Sequence, residues 1–362
     1  PPRSTLSSSS AASDVYKRQS YNLRWRNKLF AVIGMFIFLI LIILAALTIG
    51  SSDISFIDTC KILLNQIPFI HIDGSYPLSS EIIIIGIRLP RILLAGVVGA
   101  ALSVAGTVYQ AVFRNPLADP YLIGVAQGAT LGAIIGFMFP AIWQMASVPL
   151  LAFIGAIVAI LSVYLIARVG KTLPTTTLIL AGVALGAFFL AISSYLMIIS
   201  GDKLHGILSW ILGSFSSSNW QHFFIAFPCI TIGIIIIWLF ARPLNIMQLD
   251  EEQAQQLGIN VEQMKVILLG VASLIVAIAV AFCGAIGFVG IIIPHAMRLI
   301  WGPDHRFLLP LSTFAGATFL IIADTIARTV VSPTEIPIGV ITAIVGTPFF
   351  LYLLRQTKRM VF

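Results

Sequence analysis

Charged side chains are scarce in this sequence. Asp, Glu, Lys and Arg make up 10% of its 362 residues, whereas 59% of the residues are hydrophobic and the mean hydropathy is +1.02. Soluble domains carry about 25% charged residues, so the composition excludes a soluble globular protein. The net charge is +7, but the basic residues are scattered at the ends of apolar segments, which is typical of membrane topology. We therefore expect the chain to lie in a lipid bilayer and not to bind nucleic acid.

Cysteine and the common catalytic motifs are also scarce or missing. Cys60, Cys229 and Cys283 lie far apart and form no CxxC pair, so the sequence indicates neither a disulfide framework nor a zinc site. His295 and His305 have no third ligand near them in sequence. The sequence contains no G-x-x-x-x-G-K-[ST], no H-E-x-x-H and no G-x-S-x-G. We expect no catalytic residue, no metal site and no cofactor.

Acidic side chains are nearly missing from the apolar segments. Asp324 is the only clear acid within them, and Arg328 follows it one helical turn later. An ion-coupled transporter needs protonatable or ion-binding groups near the middle of the membrane. Their scarcity favours a transporter that depends on an energised partner. A self-sufficient ion-coupled secondary transporter is the alternative, and its uptake would survive the loss of any ATPase.

Long apolar runs dominate what is present. A helix that crosses the membrane needs about 20 predominantly apolar residues. The sequence therefore predicts an all-α polytopic membrane protein with about ten transmembrane helices. Their segments centre on 29–50, 92–112, 121–139, 148–167, 177–199, 222–241, 264–283, 287–301, 308–326 and 338–354. The eighth segment is short and rich in glycine, which favours a half-helix packed inside the protein.

The distribution of basic residues supports this number of spans. With the N-terminus in the cytoplasm, the predicted cytoplasmic segments collect 16 of the 21 Lys and Arg residues, as the positive-inside rule requires. Both termini are therefore predicted to be cytoplasmic. Residues 1–23 are polar and rich in serine, so we expect them to be disordered and leave open whether they are native. Residues 24–362 form the predicted membrane domain.

Arg88 and Arg91, in "EIIIIGIRLPRILLAG", stand where this topology disfavours positive charge, and Arg328 joins them on the predicted outer side. Two interpretations are open. The arginines snorkel at a helix start, or they take part in docking a partner. The presence of three arginines beside few other outer cations favours docking.

Glycines at a spacing of four residues mark a close helix contact. They occur in "GVAQGATLGAIIG", and this small-xxx-small pattern lets helix backbones approach closely in lipid. The members are Gly124, Gly128, Gly132 and Gly136. Gly284, Gly287 and Gly290 recur at a spacing of three residues, which predicts a bend.

The link "RNPLADPYLIG" contains Pro116 and Pro120, which exclude a continuous helix. From the residues alone, an ordinary turn is favoured for this link over a segment that lines a cavity.

The longest polar stretch between spans is residues 243–265. Within it, Asp250, Glu251 and Glu252 open the run "DEEQAQQLG", which ends at Gly258. Acidic residues in the first turn and a glycine at the stop are the signals of a short helix. Such a cytoplasmic helix offers a surface to a soluble partner, and a solvated loop is the alternative.

Several long motifs resemble the FecCD-type permeases, which are membrane subunits of bacterial ABC importers for iron-siderophores, haem and cobalamin. They are "RLPR", "GAALSVAGTVYQAVFRNPLADPYLIGVAQGA", "LAGVAL", "IGFVGIIIPHAMRLIWGPDHRFLLP" and "EIPIGVITAIVGTPFFLYLL". The resemblance runs from about residue 24 to the C-terminus, with the motifs in the same order.

The resemblance implies the type II ABC importer permease fold in the bacterial cytoplasmic membrane. It implies a second permease subunit as partner, with a homodimer favoured and a heterodimer as the alternative. Two cytoplasmic ABC ATPase subunits and an extracytoplasmic substrate-binding protein are the other expected partners. The expected function is ATP-driven import of an iron chelate, with a siderophore favoured and haem or cobalamin as alternatives. The chain itself is then a transport subunit and not an enzyme, because the partner ATPase hydrolyses ATP.

The resemblance also implies roles for individual residues. Arg88, Arg91 and Arg328 match outer positions that pair with glutamates of the binding protein. Residues 244–261 match the coupling helices that contact the ATPase, and the residues expected to couple are Asp250, Glu251, Glu252, Ala254, Leu257 and Gly258. Positions near the inner gate match Asn115, Leu117, Thr175 and Thr176. This match reverses the interpretation of the link as an ordinary turn.

Overall fold

The computed structural model describes residues 7–50, 52, 54–67, 76–170, 172–249 and 251–361. Over these ranges the backbone is helical except for short connections, and its only extended pairing is an isolated bridge between Val169 and Thr172. The α-helices are α1 (Ser7–Thr48), α2 (Phe56–Asn65), α3 (Leu78–Glu81), α4 (Leu89–Val112), α5 (Val125–Met138), α6 (Ala141–Ala167), α7 (Thr175–Ile198), α8 (Leu204–Ile211), α9 (Trp220–Leu239), α10 (Ala241–Met247), α11 (Glu251–Gln256), α12 (Val261–Cys283), α13 (Val289–Trp301), α14 (His305–Thr329) and α15 (Ile338–Val361). A π-helical stretch, Ile82–Arg88, joins α3 to α4.

The helices confirm the predicted fold class. Within the described residues, seven helical segments are long and apolar enough to cross a membrane, and three shorter apolar helices accompany them. The long segments are the apolar part of α1, the continuous stretch from α3 through α4, and α6, α7, α9, α12 and α14. The shorter ones are α5, α13 and the apolar part of α15. Each of the ten predicted segments overlaps one of these helices, and α13, with 13 residues, is the predicted half-helix.

Helix α1 extends further toward the N-terminus than expected. Its backbone is helical from Ser7, whereas disorder is expected over residues 1–23, of which residues 1–6 lie outside the described residues. Nucleation is the costly step of helix formation, so a span that is already helical extends into polar residues at little cost. The structure therefore differs from the expected disorder in the backbone of residues 7–23.

The centre of the bundle is built from α4, α12 and α14. Helix α4 is buried along nearly its whole length, and it crosses α14 where two glycines face each other. A Cβ atom on Gly316 would lie 2.5 Å from the Cβ atom of Ser103, and one on Gly99 would lie 2.8 Å from the carbonyl carbon of Gly316. The outer helices instead leave large apolar side chains exposed, such as Phe30 of α1 and Leu180 of α7. An apolar exterior around a packed centre suits a protein that lies in lipid.

The glycine stripe of α5 packs against α6, as its spacing predicts. A Cβ atom on Gly128 would lie 2.5 Å from the Cβ atom of Ala159, and one on Gly136 would lie 2.7 Å from the Cα atom of Val148. Side chains at these positions would push the two backbones apart. The stripe therefore serves close packing within the chain.

Two polar clusters lie at opposite ends of α14. Arg91 contacts Asp324 near the end of this helix, whereas Asn245 contacts Asp304 beside its start. The end that holds Arg88, Arg91 and Arg328 is called the arginine end, and the opposite end is called the α10 end. Because α14 has 25 residues, the two ends are about 36 Å apart.

Candidate functional site

Arg91 binds two carboxylates at once. Its Nε and Nη2 atoms donate to Oδ1 of Asp324 at 3.0 and 2.8 Å. Its Nη1 and Nη2 atoms donate to Oε1 and Oε2 of Glu335 at 2.7 and 3.0 Å. The planar guanidinium presents its donors as a fork that matches the two oxygens of a carboxylate. The contacts of Arg91 thus join α4 to α14 and to the connection between α14 and α15.

Arg88 and Arg328 hold the last turn of α1. The guanidinium of Arg88 donates to the carbonyl oxygens of Leu47 and Ser52, both at 2.8 Å. Nη2 of Arg328 donates to the carbonyl oxygen of Ala46. The last carbonyl groups of a helix lack partners within it, and a cation there also interacts favourably with the helix dipole. These two arginines therefore fix the end of α1 to the π-helical stretch that precedes α4 and to α14.

The three arginines that the sequence predicts on the outer side lie close together in the structure, and all three are buried. Arg88, Arg91 and Arg328 are only 4%, 8% and 9% exposed, and Nε of Arg328 lies 3.9 Å from Oδ2 of Asp324. A buried guanidinium without an acceptor is costly, so this chain supplies acceptors of its own. Sequence reasoning missed Glu335, because it stands in a connecting loop at no regular spacing from Arg91.

The link between α4 and α5 folds back into the bundle. Asp119 caps its 3₁₀ turn by accepting a hydrogen bond from the backbone N–H of Tyr121 at 2.7 Å. A Cβ atom on Gly182 of α7 would lie 2.7 Å from the Cα atom of Ile123. Irregular backbone at membrane depth is tolerated where protein surrounds it or where it lines a cavity, so the link is more than an ordinary surface turn.

The predicted gate residues lie on this link and at the start of α7. The side chain of Asn115 accepts a hydrogen bond from the backbone N–H of Leu117 at 3.0 Å, which fixes the local turn. Thr175 and Thr176 are the first two residues of α7. The turn that follows Leu117 packs on α7 about two helical turns further along it. Both pairs therefore belong to elements that touch each other.

A second irregular segment meets the link inside the bundle. Helix α12 ends at Cys283, Gly284 has a φ angle of 75°, and α13 begins at Val289, which confirms the predicted bend. The hydroxyl of Tyr121 donates to the carbonyl oxygen of Ile286 at 3.1 Å and accepts from the N–H of Ile286 at 3.0 Å. One side chain thus satisfies both backbone groups of a residue that no helix serves.

The predicted coupling segment is a pair of short helices, α10 and α11. Asp250 lies outside the described residues, and of Glu251 only the helical backbone is described. Ala254 is fully buried, whereas Glu252 and Leu257 are exposed. Gly258 has a φ angle of 82° and its N–H binds the carbonyl oxygen of Gln255, as expected for a glycine that ends a helix. The segment therefore presents Glu252 and Leu257 on its surface.

A network of polar side chains ties α10 to the start of α14. Nδ2 of Asn245 donates to Oδ1 of Asp304 at 2.8 Å, and Nη2 of Arg306 donates to Oδ2 at 2.7 Å. Burial opposes ionisation of Asp304, but the hydrogen bonds from Arg306 and Asn245 outweigh it and lower the pKa of Asp304 to about 2. Asp304 is thus ionised at neutral pH, and it caps α14 by accepting from the N–H of Arg306.

Comparisons with known proteins cover almost the whole membrane domain. The model of the FecCD transport family matches residues 37–356. A cobalamin import system permease protein of Halobacterium salinarum is 44% identical over 78% of this chain and 76% of its own length. A hemin transport system permease protein of Yersinia pestis is 42% identical over 76% of this chain and 84% of its own length.

One solved structure is similar over most of both chains. It is described as an inward-facing conformation of a metal-chelate type ABC transporter, and its chain is 31% identical to this one with a TM-score of 0.79. The similarity covers 90% of this chain and 98% of the other. The predicted permease fold is therefore confirmed by structure as well as by sequence.

Proposed function

Because the chain belongs to the FecCD transport family and is a multi-pass membrane permease, we propose that it moves a metal chelate through the cytoplasmic membrane as the permease subunit of an ATP-driven importer. The observation that carries this proposal is the family match over residues 37–356, which includes all the predicted spans except the start of the first. An iron chelate such as an iron-siderophore is the proposed substrate. Haem and cobalamin, which the names of the relatives mention, belong to the same class of bulky metal chelates.

The proposed assembly has two permease subunits, two cytoplasmic ATPase subunits and an extracytoplasmic binding protein. The chain has few ionisable groups inside its apolar segments, which supports an external source of energy. ATP binding and hydrolysis would shift the two permease subunits between outward-facing and inward-facing states.

The α10 end is proposed to face the cytoplasm, with both termini on that side. Arg114 contacts α10 through the carbonyl oxygen of Met247, and Lys28 lies over the ring of Phe307 at the start of α14. Arg306 adds a further cation at this end. These three residues belong to the predicted cytoplasmic segments, which hold 16 of the 21 Lys and Arg residues, and the positive-inside rule assigns such segments to the cytoplasm.

The arginine end is proposed to dock the binding protein. Within this cluster, Arg88, Arg91 and Arg328 exceed Asp324 and Glu335 by one positive charge, and a net positive charge suits acidic groups on a partner. Arg91 is the trio member that already binds carboxylates through a fork. Arg88 and Arg328 support this surface by holding the end of α1.

The link between α4 and α5 is proposed to contribute to the inner gate. Asn115 is exposed and Leu117 is partly exposed, on a link whose next turn packs against α7. Thr175 and Thr176 stand at the start of that helix. A movement of α7 relative to the link would therefore change the surroundings of all four residues.

The coupling segment is proposed to bind the ATPase, and Leu257 allows a test. Leu257 is 60% exposed, so Leu257→Glu should leave the fold intact while it places a charge where an apolar contact is expected. We expect at least a tenfold lower yield of co-purified ATPase, which corresponds to about 1.4 kcal/mol. Val169→Glu is the matched control, because Val169 is 58% exposed and lies outside the segment. An unchanged yield with Leu257→Glu would contradict the coupling role.

A further inference from the structure

Glu335 covers the accessible side of Arg91. The two carboxylates that hold Arg91 differ in exposure, since the side chain of Asp324 is 1% exposed and that of Glu335 is 39% exposed. The side chain of Arg91 itself is 10% exposed. A carboxylate of another protein would therefore approach Arg91 from the side that Glu335 covers. There it would compete with the two carboxylate oxygens of Glu335 for the donors of Arg91.

Glu335 is attached so that its side chain can leave without disturbing Asp324. It belongs to the exposed connection of residues 331–335, whereas Asp324 lies on α14. The N–H of Ile336 binds the carbonyl oxygen of Ala327 at 3.0 Å, which fixes the connection directly after Glu335. Rotation of the Glu335 side chain thus suffices to free the Nη1 donor of Arg91, while Nε keeps Asp324.

We propose, on the premise that the arginine end docks the binding protein, that Glu335 is an internal competitor for the docking carboxylate. In the undocked permease it occupies Arg91, and a carboxylate of the binding protein displaces it on docking. Arg91 pairs with Glu335 before the exchange and with a carboxylate of the binding protein after it. The buried guanidinium therefore has a counter-charge in both states. Competition from Glu335 also lowers the affinity of the permease for the binding protein. The lower affinity favours release of the binding protein, which a transport cycle requires.

The strength of the competition follows from the fraction of time that Arg91 is accessible. When a binding-competent state is populated only in part, the apparent dissociation constant rises in inverse proportion to that fraction. If Glu335 occupies Arg91 for about nine-tenths of the time, its removal raises the affinity about tenfold. Glu335→Asp keeps the charge but shortens the side chain by one methylene, so we expect an intermediate affinity.

The first measurement compares affinities for the importer's own substrate-binding protein, purified and labelled with a fluorophore, with the permease in nanodiscs. We expect about tenfold tighter binding to Glu335→Gln than to the wild-type permease. Glu81→Gln is the matched control, because Glu81 carries the same charge but accepts its hydrogen bond from Gln66 and not from the arginine trio. Arg91→Gln should weaken docking both in the wild-type permease and in the Glu335→Gln variant.

The second measurement needs no binding protein and uses phenylglyoxal, which modifies accessible guanidinium groups. Mass spectrometry of the digested permease should show about tenfold faster modification of Arg91 in Glu335→Gln than in the wild type. The fraction of time that Arg91 is accessible controls the modification rate as well as the affinity for the binding protein. Glu81→Gln should leave the rate at the wild-type value. Thermal unfolding of each variant shows whether it is folded.

The outcomes separate this proposal from the docking role itself. If Arg91→Gln weakens docking while Glu335→Gln changes neither the affinity nor the modification rate, Glu335 is not a competitor and the docking role stands. If Arg91→Gln leaves docking unchanged, the docking role is wrong, and so is the competition for it, even where modification of Arg91 speeds up. Tighter docking together with faster modification supports both.

Discussion

Replacement of Asp324 by asparagine is expected to lower the free energy of unfolding by about 3 kcal/mol, because it leaves two buried guanidinium groups with too little negative charge. Asp324 is fully buried and accepts hydrogen bonds from Arg91 while it lies 3.9 Å from Arg328. Asparagine has the same shape, so the loss is electrostatic and not a cavity effect. Thermal and urea unfolding of the purified permease in detergent would measure it.

A double variant separates the charge pair from other effects of the substitution. Arg91→Met together with Asp324→Asn removes both charges, and we expect it to recover more than half of the stability that Asp324→Asn loses. Asp202→Asn, at an exposed position, is the control and should change stability by less than about 0.5 kcal/mol. Equal stabilities of Asp324→Asn and the control would show that the buried cluster does not hold the arginine end together.

The second large effect is expected from Gly132→Val, which should lower the free energy of unfolding by about 3 kcal/mol or prevent folding. A Cβ atom at this position would lie 2.6 Å from the carbonyl carbon of Leu151 and 3.1 Å from the Cα atom of Ala152. Both are backbone atoms, so no side-chain rotation relieves the overlap, and α5 and α6 would have to separate.

Gly270→Val is the matched control for the helix contact. Gly270 lies inside α12, and a Cβ atom there would have no heavy atom within 4 Å. The same change of residue therefore meets open space, and we expect a change of less than about 0.5 kcal/mol in the free energy of unfolding. If both variants lose the same stability, the cost comes from the intrinsic preference of valine in a helix and not from the contact between α5 and α6.

The positions of the spans could be predicted from the sequence because the signal is local. A run of about 20 apolar residues is stable across lipid only as a helix, and each predicted segment overlaps one helix of the structure. The glycine stripe of α5 and the bend at Gly284 follow from residue spacing in the same way. The helical extension before α4 was less predictable, since Leu78–Arg88 combines polar, apolar and charged residues.

The partners of the arginines could not be predicted, because they depend on tertiary structure. Arg88 meets the end of α1, whose last turn is 40 residues away in sequence, and Arg91 meets Asp324 and Glu335, more than 200 residues away. No periodicity relates such positions. The hydrogen bonds between Tyr121 and Ile286 have the same origin, since they join two irregular segments whose backbone groups need partners inside the bundle.

The central claim, that this chain is the permease of an ATP-driven importer of metal chelates, is tested most directly by uptake in proteoliposomes. The permease is reconstituted with its ATPase, its binding protein is added outside, and entry of radiolabelled iron-siderophore, haem and cobalamin is followed. We predict that at least one chelate enters only when ATP is supplied to the ATPase, and that Leu257→Glu slows its entry at least tenfold. Uptake that an ion gradient drives without the ATPase would contradict the account and would identify a secondary transporter.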